Sequence, residues 1–281
     1  MSGPEAMPYD LSGCYDLHIH PAPDVIARKL TDLQLAGRAN AAGMAGFAVK
    51  SHVFPTGGRA AILRALYPKL DVLGGIALNR QVGGINPAAV EAAAKMGVKL
   101  LWFPTMDARS YLKQRGVSGW ESGLSALDGK GAVTEEALAV LRLAVKYDLV
   151  VGTGHLGAEE AVILARTAAG MGLKRICITH VTLPVCQMPV ERLRECVDLG
   201  AVLEYSYCHL LSGKCSIDYI VSQIKAVGAE HVILTTDLGQ ADNPDPIDGM
   251  RAFCRLLEEQ GFSHQELERM TKENPKKLLY A

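Results

Sequence analysis

Two hydrophobic rhythms alternate along this chain: short, nearly continuous apolar runs, and longer stretches in which apolar residues recur every three or four positions. The first run, Cys14 to His20, reads as a strand. Leu33, Leu35, Ala36, Ala39 and Ala42 then mark a helix, opened by a Thr31–Gln34 capping box and stopped at Gly43. Gly46 to Val53 reads as the next strand, closed by Pro55. Helix Arg59–Leu66 leads to strand Val72–Asn79, and helix Pro87–Met96, with proline at its start and Gly97 after it, leads to strand Val98–Phe103.

A glycine-rich stretch from Met106 to Val133, carrying Trp120, interrupts the rhythm and reads as an insertion after the fourth strand. Alternation then resumes through helix Glu135–Tyr147, strand Leu149–His155, helix Ala158–Met171, strand Arg175–Val181, helix Val190–Leu199, strand Ala201–Tyr207, helix Ile217–Val227 and strand His231–Asp237. Two tail helices, Asp248–Gln260 and Gln265–Leu279, follow, the second opened by a Ser263–Glu266 capping box. About eight β/α repeats is the number at which parallel strands close into a barrel. The expectation is therefore one α/β domain over residues 1–281, a (β/α)8 TIM barrel with an insertion after strand 4 and extra C-terminal helices. A doubly wound open sheet is its rival.

Composition narrows the partners. With 49% hydrophobic and 21% charged residues among 281, the chain can bury a large core, and a net charge of -1 gives no pull toward nucleic acid or an anionic membrane. A small-molecule substrate is the expected partner, and a homo-oligomer is compatible with this composition. No apolar run is long enough to span a membrane, and Met1 to Asp10 lack the basic and apolar segments of a secretory leader. The seven cysteines are scattered without CxxC spacing, which suggests reduced, buried thiols and a cytoplasmic protein.

The chemistry sits where the expected strands end. On a strand, the spacing of His18 and His20 points both imidazoles to one face, which begins a transition-metal site. Lys50 and His52 end the second expected strand, His155 the fifth, His180 the sixth and Asp237 the eighth, all at the end where a barrel's active site opens. A lone buried histidine is usually a core residue; several converging on one mouth are not explained by packing.

Through Asp16-Leu17-His18-Ile19-His20, Gly154-His155, Thr179-His180, Thr235-Thr236-Asp237 and the terminal Glu273-Asn274-Pro275-Lys276-Lys277-Leu278-Leu279, the sequence resembles the amidohydrolase superfamily of metal-dependent hydrolases. The resemblance spans nearly the whole chain. It implies that His18, His20 and Asp237 hold one metal and His155 with His180 a second. Many two-metal members carry a bridging carboxylated lysine on the fourth strand. Here that strand ends in Trp102-Phe103-Pro104-Thr105, so the bridging role falls to Lys50 on the second. Carboxylated, Lys50 offers two oxygens; left as an ammonium, it pairs instead with a substrate carboxylate or phosphate.

The expected activity is hydrolysis of an ester, lactone, amide or phosphoester by a metal-activated water, with Asp237 as general base and Lys50 as its catalytic partner. Histidine and carboxylate ligands suit one or two divalent ions, zinc first, manganese or iron otherwise. A mononuclear decarboxylase of an organic acid and a non-catalytic ligand-binding barrel are the alternatives. His52, Arg80 and Arg109 are the candidate substrate contacts. Glu204 reads either as an acceptor for an imidazole N–H or as a buried partner of an arginine. His209, His231 and His264 are read as surface or structural.

Overall fold

The computed structural model describes residues 9–281, so the reading of Met1 to Asp10 falls mostly outside the described residues. Strands and helices alternate as β1 (Tyr15–Ile19), α1 (Asp32–Ala41), β2 (Gly46–Val49), α2 (Gly57–Leu66), β3 (Asp71–Ala77), α3 (Pro87–Lys95), β4 (Val98–Trp102), α4 (Arg109–Gln114), α5 (Glu135–Lys146), β5 (Val150–Gly152), α6 (Ala158–Gly170) and β6 (Ile176–Ile178). They continue as α7 (Val190–Asp198), β7 (Val202–Ser206), α8 (Tyr207–Leu211), α9 (Ile217–Val227), β8 (Val232–Thr235), α10 (Pro246–Glu259), α11 (His264–Glu268) and α12 (Asn274–Tyr280). All eight strands pair in parallel in the order β1-β2-β3-β4-β5-β6-β7-β8. The ring closes where the Asp237 N–H donates to the His18 carbonyl at 2.9 Å and the His20 N–H to the Leu238 carbonyl at 2.8 Å. This is the (β/α)8 barrel, not the open sheet.

Local chemistry explains the helices. Thr31 caps α1 in a complete capping box with Gln34, as expected. Helix α5 buries Ala137, Val140, Leu141 and Ala144, a spacing that lays one apolar stripe against the barrel. The insertion after β4 contains a short helix, α4, that the glycine-rich composition did not announce. The expected second tail helix is divided: α11 passes through a π-helical turn, Arg269–Glu273, into α12. Pro275 explains the break, because it has no N–H to give to the carbonyl one turn back.

Two apolar clusters divide the interior. The larger lies between strands and helices and includes Ile19, Phe47, Val49 and Leu101. The smaller fills the barrel and includes Leu17, Ala48, Leu100, Trp102, Val150 and Ile233. Leu17 and Ile19 are two apart yet belong to different clusters, which regular alternation forbids. The β1–β2 register shifts between Asp16 and Ile19, and that bulge turns His18 and His20 inward above Leu17. Trp102 fills the barrel beneath them because its neighbours lack side chains: a Cβ on Gly75 or Gly152 would come within 2.2 or 2.6 Å of the indole.

Candidate metal centre

Strand ends position the site, though not as alternation alone predicts. The expected strands ran through His155, His180 and Asp237; the ladders stop at Gly152, Ile178 and Thr235, and these three side chains come from the loops that follow. His180 and Asp237 take left-handed backbone conformations, with φ of 57° and 51°. That geometry is costly for residues with a Cβ, and it persists here where it turns both side chains toward the mouth.

Asp237 lies among four imidazoles. Its Oδ1 is 3.1 Å from His20 Nε2 and 3.3 Å from His18 Nε2; its Oδ2 is 3.6 Å from His209 Nε2 and 3.7 Å from His180 Nε2. Glu204, on β7, accepts from His18 Nδ1 at 2.8 Å with Oε1, and the same oxygen lies 2.9 Å from His180 Nδ1. The Ser206 hydroxyl sits between them, 2.9 Å from His180 Nδ1 and donating to Glu204 Oε1 at 3.1 Å, so the neighbours of Glu204 are imidazoles and a hydroxyl and not an arginine. His209 Nδ1 is 2.7 Å from Thr182 Oγ1, and His52 Nδ1 is 2.8 Å from Thr105 Oγ1. Asp16 accepts from the Thr236 hydroxyl at 2.5 Å and from the Thr236 and His18 amides, which ties β1 to the start of the loop carrying Asp237.

Burial sets the charge states. It pushes His18 down to about 4 and His20 to about 3, and holds His52, His155 and His209 well below the ordinary histidine value. Burial opposes ionisation of Glu204 and Asp237, yet the His18 and His180 rings outweigh it and keep both carboxyls well below the usual carboxylate range. Burial also lowers Lys50 to about 8 and raises Asp16 to about 7 against the pull of Thr236. At neutral pH His18, His20, His52, His155 and His209 are thus neutral imidazoles near two carboxylates.

This charge pattern tests whether the residues suit a cation. An ionised Glu204 can only accept, so neutral His18 holds its single ring proton on Nδ1 and turns an Nε2 lone pair toward the Asp237 carboxylate. Lone pairs aimed at a carboxylate repel unless a cation lies between them. Lys50, fully buried with Nζ 2.7 Å from His18 Nε2 and 4.7 Å above the Trp102 ring, supplies one positive group on the His18 side. The Nδ1 atoms of His20 and His155 are buried with no partner. The donor set fits a divalent metal, with His18, His20 and Asp237 as one close group.

Above the imidazoles opens a cavity of about 130 Å³, lined by His52, His155, Tyr111, Arg28, Lys214 and Gln240 among others. Its cations are Arg28 and Lys214. The two arginines singled out as substrate contacts lie outside this lining and are engaged elsewhere. Arg80 donates to the Ser122 carbonyl at 2.6 Å and faces Asp107, while Arg109 Nε donates to the Gly123 carbonyl at 3.3 Å. The insertion keeps both because their partners are its own backbone. His52 is where it was expected, stacked on His20 with ring centroids 4.7 Å apart.

His209 corrects the sequence reading. It is 2% exposed and belongs to the centre, not to the surface. It sits in α8, a helical turn directly after β7, and nothing in its spacing relates it to the other histidines; only its place two residues past a strand end pointed to the mouth. His264 is exposed, and half-buried His231 ends the turn that precedes β8, at the opposite end of that strand from Asp237.

Comparisons agree with this fold. The pattern of a family of unknown function (DUF6282) matches residues 13–204. An amidohydrolase from Pseudomonas aeruginosa superposes with a TM-score of 0.65 over 95% of both chains at 11% identity. The metallopeptidase "dipeptidase AC" does so with a TM-score of 0.63 at 13% identity, over 96% of this chain and 98% of that one. The TatD homolog YJJV from Escherichia coli K12 gives 0.63 at 14% identity, over 96% and 99%. No curated protein matches the chain in sequence. These likenesses are of fold: the chain has the (β/α)8 barrel that those three proteins have.

Proposed function

The chain belongs to the family of unknown function DUF6282, and from the donor cluster at the mouth of its amidohydrolase-like barrel we propose that it is a metal-dependent hydrolase of a small molecule. The observation that carries this reading is the convergence of His18, His20 and Asp237, with Glu204 fixing the His18 tautomer so that a ring lone pair meets the carboxylate. Zinc suits this set of borderline nitrogen and hard oxygen donors, with manganese or iron as substitutes. Ester, lactone, amide and phosphoester bonds are the candidate targets. The folds it shares with an amidohydrolase and a dipeptidase support that range.

A divalent metal held by His18, His20 and Asp237 supplies Lewis acidity, lowering the pKa of a water toward about 7 and polarising the scissile oxygen. The chain's own residues do the rest. With a single ion on the His18 and His20 side, Asp237 Oδ2 is the oxygen left to accept the proton that the attacking water gives up. Glu204 keeps the His18 ring in one tautomer and orientation, and through the Ser206 hydroxyl it orients His180 as well. Lys214 brings a positive charge to the cavity lining, which suits a substrate with an anionic group, while the charge of Arg28 there is matched by Asp24 at 2.7 Å.

Lys50 competes for the His18 lone pair while it is an unmodified amine. Its amine, lowered by burial to about 8, is partly neutral at neutral pH and so able to add to carbon dioxide, losing one proton to form a carbamate. In that form it becomes an oxygen donor at the same place. Seven unpaired thiols support a reducing compartment, the cytoplasm.

The test is metal analysis joined to turnover. Protein purified without chelator should carry zinc, manganese or iron, and a screen of esters, lactones, amides and phosphoesters should find hydrolysis that a chelator abolishes and added metal restores. Protein that stays metal-free after supplementation sinks the reading. Metal-loaded protein that releases carbon dioxide from organic acids and hydrolyses nothing replaces it with the decarboxylase.

A further inference from the structure

We infer that His180, His209 and Asp237 hold a second divalent cation, His209 taking the ligand position that the resemblance gives to His155. This rests on the metal-hydrolase reading and deepens it from one ion to two.

Ligands at 2.0–2.1 Å from a tetrahedral ion stand about 3.3–3.4 Å from one another. His18 and His20 lie 3.3 and 3.1 Å from Asp237 Oδ1. His209 and His180 lie 3.6 and 3.7 Å from Asp237 Oδ2. Each carboxylate oxygen therefore faces its own pair of imidazoles at close to ligand–ligand spacing. The three atoms of the second group lie within 4.8 Å of one another, as do those of the first. A carboxylate shared in this way is the arrangement that holds two ions about 3.5–4 Å apart.

His209 is also prepared as a ligand. Its Nδ1 is engaged by Thr182 Oγ1 at 2.7 Å, as the Nδ1 of His180 is by Ser206 Oγ at 2.9 Å, which leaves both Nε2 atoms for the same oxygen of Asp237. The helical turn that carries it is tied to β8 through the Cys208 N–H on the Thr236 carbonyl at 3.0 Å, so His209 is held in register with Asp237. His155 differs in its surroundings: it belongs to no close group with a carboxylate among the described residues, and its ring packs against Tyr111 at 4.7 Å and His180 at 5.3 Å on the cavity wall.

Cobalt tests this without any substrate. Full-length protein is stripped with chelator, titrated with Co2+, and followed by visible absorption and bound-metal analysis. The wild type should take two equivalents, His209→Gln one, and His155→Gln two. Loss of an equivalent in His155→Gln with none lost in His209→Gln overturns the assignment. A wild type that saturates at one equivalent overturns the second site and leaves the single-metal hydrolase standing; one that binds none removes both. Should His209→Gln fail to fold by circular dichroism, Thr182→Val takes its place, since it frees the ring without touching a ligand. Its second equivalent should then bind about 10–100-fold more weakly with the first unchanged; a second affinity equal to wild type counts against the proposal.

Discussion

The mouth and the floor of this barrel are made by the same strands and obey opposite rules. Toward the floor, Leu17, Leu100, Val150, Cys177 and Ile233 close over one another with Leu278 of α12 beneath them. Polar groups there are matched: Arg175 donates to the Leu278 carbonyl at 3.0 Å and to Asp148 at 2.7 Å. Toward the mouth, buried Nδ1 atoms of His20 and His155 and the Thr179 hydroxyl have no partner, and imidazole lone pairs face a carboxylate. Buried polar atoms are normally satisfied, so three unmatched ones around the imidazoles mark where stability yields to chemistry.

Asp237→Asn should break the mouth and spare the floor. The amide keeps the shape and tolerates the left-handed backbone at this position, but it offers no carboxylate and no base. Turnover should fall by about a thousandfold, with the melting temperature unchanged or higher; a variant that keeps wild-type kcat removes Asp237 as the base. Leu100→Ala should do the reverse, costing about 2–5 kcal/mol of stability in urea unfolding, while metal bound per folded molecule stays the same. A loss of metal in that variant would mean that floor and mouth are not separable.

Glu204→Gln sharpens the comparison, because Glu204 starts in the barrel and acts at the mouth. An amide cannot accept the His18 proton and the Ser206 hydroxyl on an anionic oxygen, so metal affinity should fall about 10–100-fold, read by competition with a chelator. The smallest effect belongs to Asp148→Asn at the floor. Hydrogen bonding from Arg175 holds the Asp148 carboxyl below its ordinary value. Its contribution is therefore present above about pH 4 and lost as the pH falls through the depressed native value. For so exposed a pair it amounts to about 0.2–1 kcal/mol. Melting curves across the acid range should lose that part of their pH dependence in the variant.

Much of this was legible in the chain because it is local. Capping at Thr31 and Ser263, proline at the start of α3 and glycine after it, and the period of α5 are written within a few residues. The spacing of His18 and His20 was legible for the same reason. Their inward aim was not, because it depends on a register slip against β2. Strand ends were overextended at β5, β6 and β8, where apolar residues continue past the point at which the backbone leaves the ladder. Arg80 and Arg109 looked available because a charge in a loop carries no sign of the partner that will occupy it.

What the sequence determined by itself was the alternation of strands and helices, its repetition, and the placing of His18, His20, Lys50, His155, His180 and Asp237 near strand ends. These follow from periodicity, which neighbouring residues impose on one another. Only the tertiary structure decided which of them meet. Closing the ring brings Asp237 beside His18 and His20, and it carries His209, silent in the sequence, to the far oxygen of the same carboxylate while leaving His155 on the wall. The reason is geometric: ligation needs atoms within a few ångströms across strands far apart in the chain, and that distance is set by closure, register and backbone turn, none of which a local pattern contains.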